Sequence, residues 1–247
     1  MRPVWEFVRR FAVAWGGQEP VVLVTFLLLV IGVWTFLEIA DEVAEGSTQA
    51  FDVWVVQAMR RPNDLATPVG PSWLQEIGRD ATALGGYGWL IFFTAAIAGF
   101  LWLDRKSHMA VFLVASVTGG YLVSMALKWA FQRPRPDVVP HLSNVYSTSF
   151  PSGHSMNSAV VYLTLGTLIA ASVSRRSLKV YVIVVATFIS GIVGVSRVYL
   201  GVHYPTDVLG GWTAGLVWAL ACWLAARFLQ RKGRVERPEQ ETTGEHE

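Results

Sequence analysis

His203 and Asp207 stand four residues apart, one just before and one just inside an apolar run that begins near Thr206. At that spacing both side chains can share one face of a helix start. Pro205 suits the first turn, where its missing N–H would be unpaired anyway. A carboxylate so placed can accept from one imidazole nitrogen, fix the tautomer and leave the other nitrogen bare as a nucleophile. Buried His–Asp hydrogen bonds also serve structural ends, so the pair does not decide its own role. A second polar string, Pro151-Ser152-Gly153-His154, opens another apolar run. A helix start offers an anion unpaired N–H groups and a positive dipole end. Gly153 lets backbone approach a ligand, Ser152 adds a hydroxyl, and His154 is a candidate general acid. On its own, Ser-Gly in that position is commonly only a cap. Lys128, Arg135 and Arg197 add three cations. Guanidinium groups bind phosphate oxygens bidentately, whereas Lys acts as a point charge. Any one of them could simply snorkel to headgroups. Three with two histidines on one membrane face point instead to a site that holds a phosphate and breaks its ester bond. Arg133 is either a fourth phosphate contact or an interface anchor.

The elements that must position these residues are apolar. The chain has 247 residues, 53% hydrophobic and 15% charged, with eleven Trp and thirteen Phe. Soluble domains carry about 25% charged residues, and aromatic belts are a membrane feature. The net charge of +2 gives no case for nucleic acid. The single Cys222 excludes an intrachain disulfide and a cysteine-rich metal site. Six runs are long enough to span: roughly Val21–Ala40, Ala83–Leu103, Met109–Phe131, Ser155–Ser172, Leu178–Val198 and Thr206–Phe228. None alternates as a porin strand would. Gly211 with Gly215, Gly191 with Gly194, and Gly119-Gly120 are candidate close approaches between helices, or simply membrane-helix composition. The expected fold is therefore an all-α integral membrane bundle of six helices. Residues 19–229 are expected to form its membrane domain. Residues 1–18 are expected as an interfacial helix, with Val4, Phe7, Val8, Phe11 and Trp15 on one side. Charge interrupts that stretch, so no signal peptide is expected there, and the first span is expected to anchor uncleaved. Between Asp41 and Asp80, two short amphipathic helices are expected around a Pro62–Pro71 turn region. Residues 230–247 are charged and expected to be disordered.

Loop charge sets orientation. With the N-terminus inside, thirteen of the twenty Lys and Arg lie on the inner side, including the short connectors Asp104–His108 and Ser174–Lys179. Both termini are then cytoplasmic, and all three polar strings face outward.

Lys128-x6-Arg135-Pro136, Pro151-Ser152-Gly153-His154 and Ser196-Arg197-x5-His203-x3-Asp207 together resemble the three-part signature of the type 2 phosphatidic acid phosphatase superfamily. All three parts match, in order, from about the second span to the sixth. The resemblance implies that Lys128, Arg135, Ser152, Gly153, His154 and Arg197 surround the phosphate. It implies that His203 attacks phosphorus, that His154 protonates the leaving lipid oxygen, and that Asp207 orients His203. It implies no cofactor and no metal, in keeping with strings that offer one carboxylate and mostly cations, a poor Mg²⁺ site. The expected substrate is a membrane lipid phosphate such as undecaprenyl diphosphate, phosphatidylglycerophosphate or phosphatidic acid, at the outer face of a cell membrane. Outward orientation favours the first, whose recycling occurs outside the cytoplasm in bacteria, and the missing Asn-x-Ser/Thr sequon fits a bacterial inner membrane. The alternative is a phosphotransferase that passes the same phosphoryl group to another lipid or sugar. A non-enzymatic scaffold would not need His154, His203 and Asp207 intact. The sequence does not specify the oligomeric state.

Overall fold

The computed structural model describes residues 20–145, 147–233 and 235. The interfacial helix expected over residues 1–18 and most of the tail expected from 230 lie outside them. The described residues form α1 (Pro20–Glu45), α2 (Gln49–Ala58), β1 (Arg60–Arg61), β2 (Asp64–Pro68), α3 (Ser72–Ala83), α4 (Tyr87–Leu103), α5 (Ser107–Phe131), α6 (Gly153–Ser172), α7 (Arg176–Tyr199) and α8 (Pro205–Arg231). Five of these helices are long and apolar enough to cross a membrane: α1, α5, α6, α7 and α8. A sixth span is counted only if one bent pair of helices is taken as a single crossing. α3 and α4 qualify only together and meet at 48°. The expected second span began at Ala83, but Leu84-Gly85-Gly86 interrupts the helix there. The carbonyl of Leu84, left free by the break, accepts a 2.8 Å bond from the Tyr162 hydroxyl.

α6 is the hub. In its spanning window 61% of residues are buried, against 17% in α1. It packs on α7 and α8 most extensively, and on α5 and α4. Near its start, small or short side chains, Ser155, Ser158 and Ala159, alternate with the buried Met156 and Val160. The Gly211–Gly215 pair on α8 completes that approach. A Cβ on Gly211 would sit 2.7 Å from the carbonyl oxygen of Ser152, and one on Gly215 2.7 Å from that of Met156. Larger residues would push α8 off the helix that carries His154. Gly191 plays no such part, since a Cβ there would meet open space. The large apolar side chains left exposed on α1, α4, α5 and α7, such as Leu27, Phe92, Trp129 and Phe188, suit contact with lipid tails.

The connection from α1 to α4 carries α2 and α3 as expected. The Pro62–Pro71 region is more than a turn, because β1 and β2 pair antiparallel there, with Arg60 opposite Pro68. An all-helical expectation missed this ribbon, which is too short and too polar to show alternation. It delivers the buried Arg60 to the C-terminus of α7, where Nη1 donates to the carbonyl of Tyr199 at 2.9 Å. A cation suits the negative end of a helix. α2 turns Asp52 and Val56 inward and leaves Phe51 and Trp54 exposed.

Candidate active site

α5 and α7 end where α6 and α8 begin, so Lys128, His154, Arg197, His203 and Asp207 gather at one end of the bundle. The connectors at 104–106 and 173–175 lie at the other. Asp207 sits in the first turn of α8, after Pro205. Its Oδ2 accepts from the backbone N–H of Tyr204 at 2.8 Å, which caps the helix, and faces His203 Nδ1 at 3.4 Å. The hydroxyl of Ser149 donates to the same oxygen and lies 3.4 Å from Nδ1. His203 Nε2 points the other way, 3.1 Å from Arg135 Nη1. Burial holds the imidazole far below its ordinary value, at about 3, against the pull of Asp207. His203 is therefore neutral at pH 7, the form in which it has a lone pair to give.

Ser152 is the N-cap of α6 and accepts from Ser155 Oγ at 2.9 Å and Ser155 N at 3.4 Å. Its own N–H donates to the carbonyl of Asp207 at 2.9 Å, which clasps the starts of α6 and α8 together. Gly153 is a cradle: a Cβ there would lie 3.3 Å from Lys128 Cε and 3.2 Å from the Tyr87 hydroxyl. Lys128 Nζ donates to the carbonyl of Thr148 at 2.6 Å. Arg135 holds the carbonyls of Ser147 and Val202, both at 2.6 Å. Arg197 is buried, binds Thr82 Oγ1 at 2.9 Å and keeps Nε without a partner. Buried donors with spare N–H groups around a helix start suit an anion. His154 is half-buried with its ring centroid 6.1 Å from that of Tyr87. Tyr87 also borders an apolar cavity of about 390 Å³ between α4, α5 and α6.

All eight residues expected from the sequence thus lie around this one bundle end. Arg133 has a different place from either one expected. It faces neither a phosphate position nor the interface, but bridges Asp207 Oδ1 at 2.8 Å and Asp52 Oδ2 at 2.7 Å. Burial lowers its proton affinity, but the two carboxylates outweigh that and leave it raised. Asp52, Ser149 and Thr206 escaped sequence reasoning. The one available signal was an acidic residue on the inward stripe of an amphipathic helix, which an apolar count passes over. Among the described residues no three His, Cys, Asp or Glu side chains gather as a metal would need.

Similarity to known proteins identifies the family. A model of the PAP2 superfamily matches residues 109–231, which hold all three polar strings. Phosphatidylglycerophosphatase B of Bacillus subtilis is 34% identical over 185 residues, covering 74% of this chain and 86% of its own. Lipid A 1-phosphatase of Rhizobium etli is 31% identical over 176 residues, 60% of this chain and 71% of its own. The crystal structure of a transmembrane PAP2-type phosphatidylglycerolphosphate phosphatase from Bacillus subtilis superposes with a TM-score of 0.72 at 30% identity, over 83% of this chain and 96% of that one. With its signature strings drawn together at one end of a multi-pass bundle, this chain belongs to the PAP2 superfamily.

Proposed function

We propose that the protein is a membrane lipid phosphate phosphatase that removes a terminal phosphate through a phosphohistidine on His203. The observation that carries this is the orientation of His203, with Nδ1 toward Asp207 and Nε2 toward Arg135. A guanidinium only donates, so Nε2 holds the lone pair and Nδ1 the proton. Lys128, Arg135, Arg197 and the N–H groups at the start of α6 hold the phosphate oxygens. Nε2 attacks in line; the N–P bond forms as the bond from phosphorus to the lipid oxygen breaks, and His154 gives that oxygen its proton. Water, deprotonated by His154, then cleaves N–P and releases inorganic phosphate. Fixed cations stabilise the charge spread over the transferring group, the part a metal plays in other phosphoryl transfers.

The cavity beside Tyr87 supports a lipid as the leaving group, since it adjoins the Gly153 cradle and is lined mainly by apolar side chains. The names of the relatives support a phosphorylated lipid of the bacterial envelope. Phosphatidylglycerophosphate, phosphatidic acid and undecaprenyl diphosphate all present a terminal phosphate. Basic connectors at the opposite bundle end support an outward-facing site with both termini inside.

Purified protein in detergent should release phosphate from these lipids in excess EDTA, and vanadate should inhibit it. His203→Ala should lower the rate by roughly 10³-fold or more. A new phosphorylated lipid in place of free phosphate would make it a phosphotransferase. Persistent activity in His203→Ala would sink the mechanism.

A further inference from the structure

Behind Asp207 lies a second carboxylate that the reaction above does not use. Asp52 of α2 is 0% exposed, and so is Asp207, while Arg133 between them is 8% exposed. Each carboxylate takes one guanidinium nitrogen. Asp52 also accepts from the backbone N–H of Thr206 at 3.1 Å and from its hydroxyl at 2.5 Å. Arg133 lies over the ring of Tyr204, 4.5 Å from its centroid. One cation between two buried carboxylates leaves a net negative charge on the Nδ1 side of His203, with Arg135 on its Nε2 side, so a positive charge arising on the ring itself would be met at once.

The reaction supplies that charge. As Nε2 bonds to phosphorus, the imidazole ring of His203 becomes cationic, and it faces Asp207. Arg133 alone would neutralise Asp207 and deprive the ring of its counter-ion. With Asp52 on its other nitrogen, Arg133 is already matched. We infer that Asp52 and Arg133 are positioning residues for phosphoryl transfer: Asp52 takes up the charge of Arg133, so that Asp207 keeps its own for His203. This rests on His203 being the nucleophile. It also gives α2 a purpose, since a helix from the loop between the first two spans becomes a wall of the reaction centre.

The test is steady-state kinetics on a short-chain phosphatidic acid in detergent, with active sites counted by the phosphoenzyme burst. Asp52→Asn should lower kcat about 10- to 100-fold, the scale of one unit charge acting across a buried cluster, with KM nearly unchanged. Arg133→Met with Asp52→Asn restores a single net charge at Asp207, so the double variant should be at least as active per site as Asp52→Asn alone. A merely structural role predicts the reverse: fewer active sites at normal kcat, and the double variant worse than either single one. Wild-type kcat per site in Asp52→Asn would overturn the inference, whether or not the double variant folds. Should His203→Ala retain activity, the mechanism itself fails; should His203→Ala be inactive and Asp52→Asn fully active, only this inference does.

Discussion

The two histidines of the site are held in opposite ways. His203 is 1% exposed and lies between Asp207, Ser149 and Arg135, with Arg133 and Asp52 behind its carboxylate. The side chain of His154 makes no hydrogen bond among the described residues and has the ring of Tyr87 beside it. The residue's backbone sits on the most buried helix, but no hydrogen bond orients its ring. On the proposed mechanism this division makes physical sense. A nucleophile must present one nitrogen, in one tautomer, in line with the bond it breaks. An acid that turns into a base must give up a proton and take one back, and a partner that locks its tautomer would oppose one of those steps. The rigid side is therefore the side that attacks, and the loosely held side is the side that meets the departing lipid.

The largest expected effect tests the rigid side. Asp207→Asn keeps the shape of the side chain but offers an N–H to Nδ1, which moves the imidazole proton to Nε2. On the scale of an orienting carboxylate in a triad, kcat should fall by about 10³–10⁴-fold. The measurement is phosphate release per folded protein in detergent, with substrate binding followed separately. A loss below tenfold would mean that Asp207 serves only as the cap that Tyr204 N–H needs.

The other side predicts a smaller and conditional effect. His154→Ala should slow an alkyl phosphate ester on the order of 10²–10³-fold, since an alkoxide leaves poorly without a proton. A p-nitrophenyl ester leaves as a stable anion and should lose far less in the first step. Equal losses on both substrates would mean that His154 binds phosphate and does not protonate the leaving group.

What the sequence made legible follows from the range of each interaction. The long apolar runs of α1, α5, α6, α7 and α8 announce themselves, and the polar strings mark the starts of α6 and α8 because capping and anion binding are local. The α3–α4 pair was hidden because α3 carries Glu76, Arg79 and Asp80 and reads as a separate outer helix, with only Gly85-Gly86 to mark the joint with the apolar α4. Arg133 was visible as a cation between Lys128 and Arg135, yet its partners were not. Asp52 lies 81 residues from it and Asp207 lies 74, and an ion pair at that separation leaves no spacing to read. Ser149 belongs to the same class, reaching Asp207 across 58 residues. The proposed attacking group stands out in the sequence, but the packing that holds it does not.

That packing has a consequence for stability as well as for rate. In the folded protein His203 stays neutral down to about pH 3, because burial opposes its charging. In the unfolded chain it takes a proton near pH 6.5. Between those values the unfolded state binds the extra proton, so folding stability falls as pH falls, by at most about 1.4 kcal/mol per pH unit from this one residue. His203→Asn cannot be protonated and removes that contribution. Thermal unfolding in detergent between pH 6.5 and pH 4.5 should therefore drop more steeply for the wild type than for His203→Asn. Identical slopes for wild type and His203→Asn would mean that the folded protein lets His203 take its proton at an ordinary pH, and that the neutrality of the nucleophile is not built into the fold.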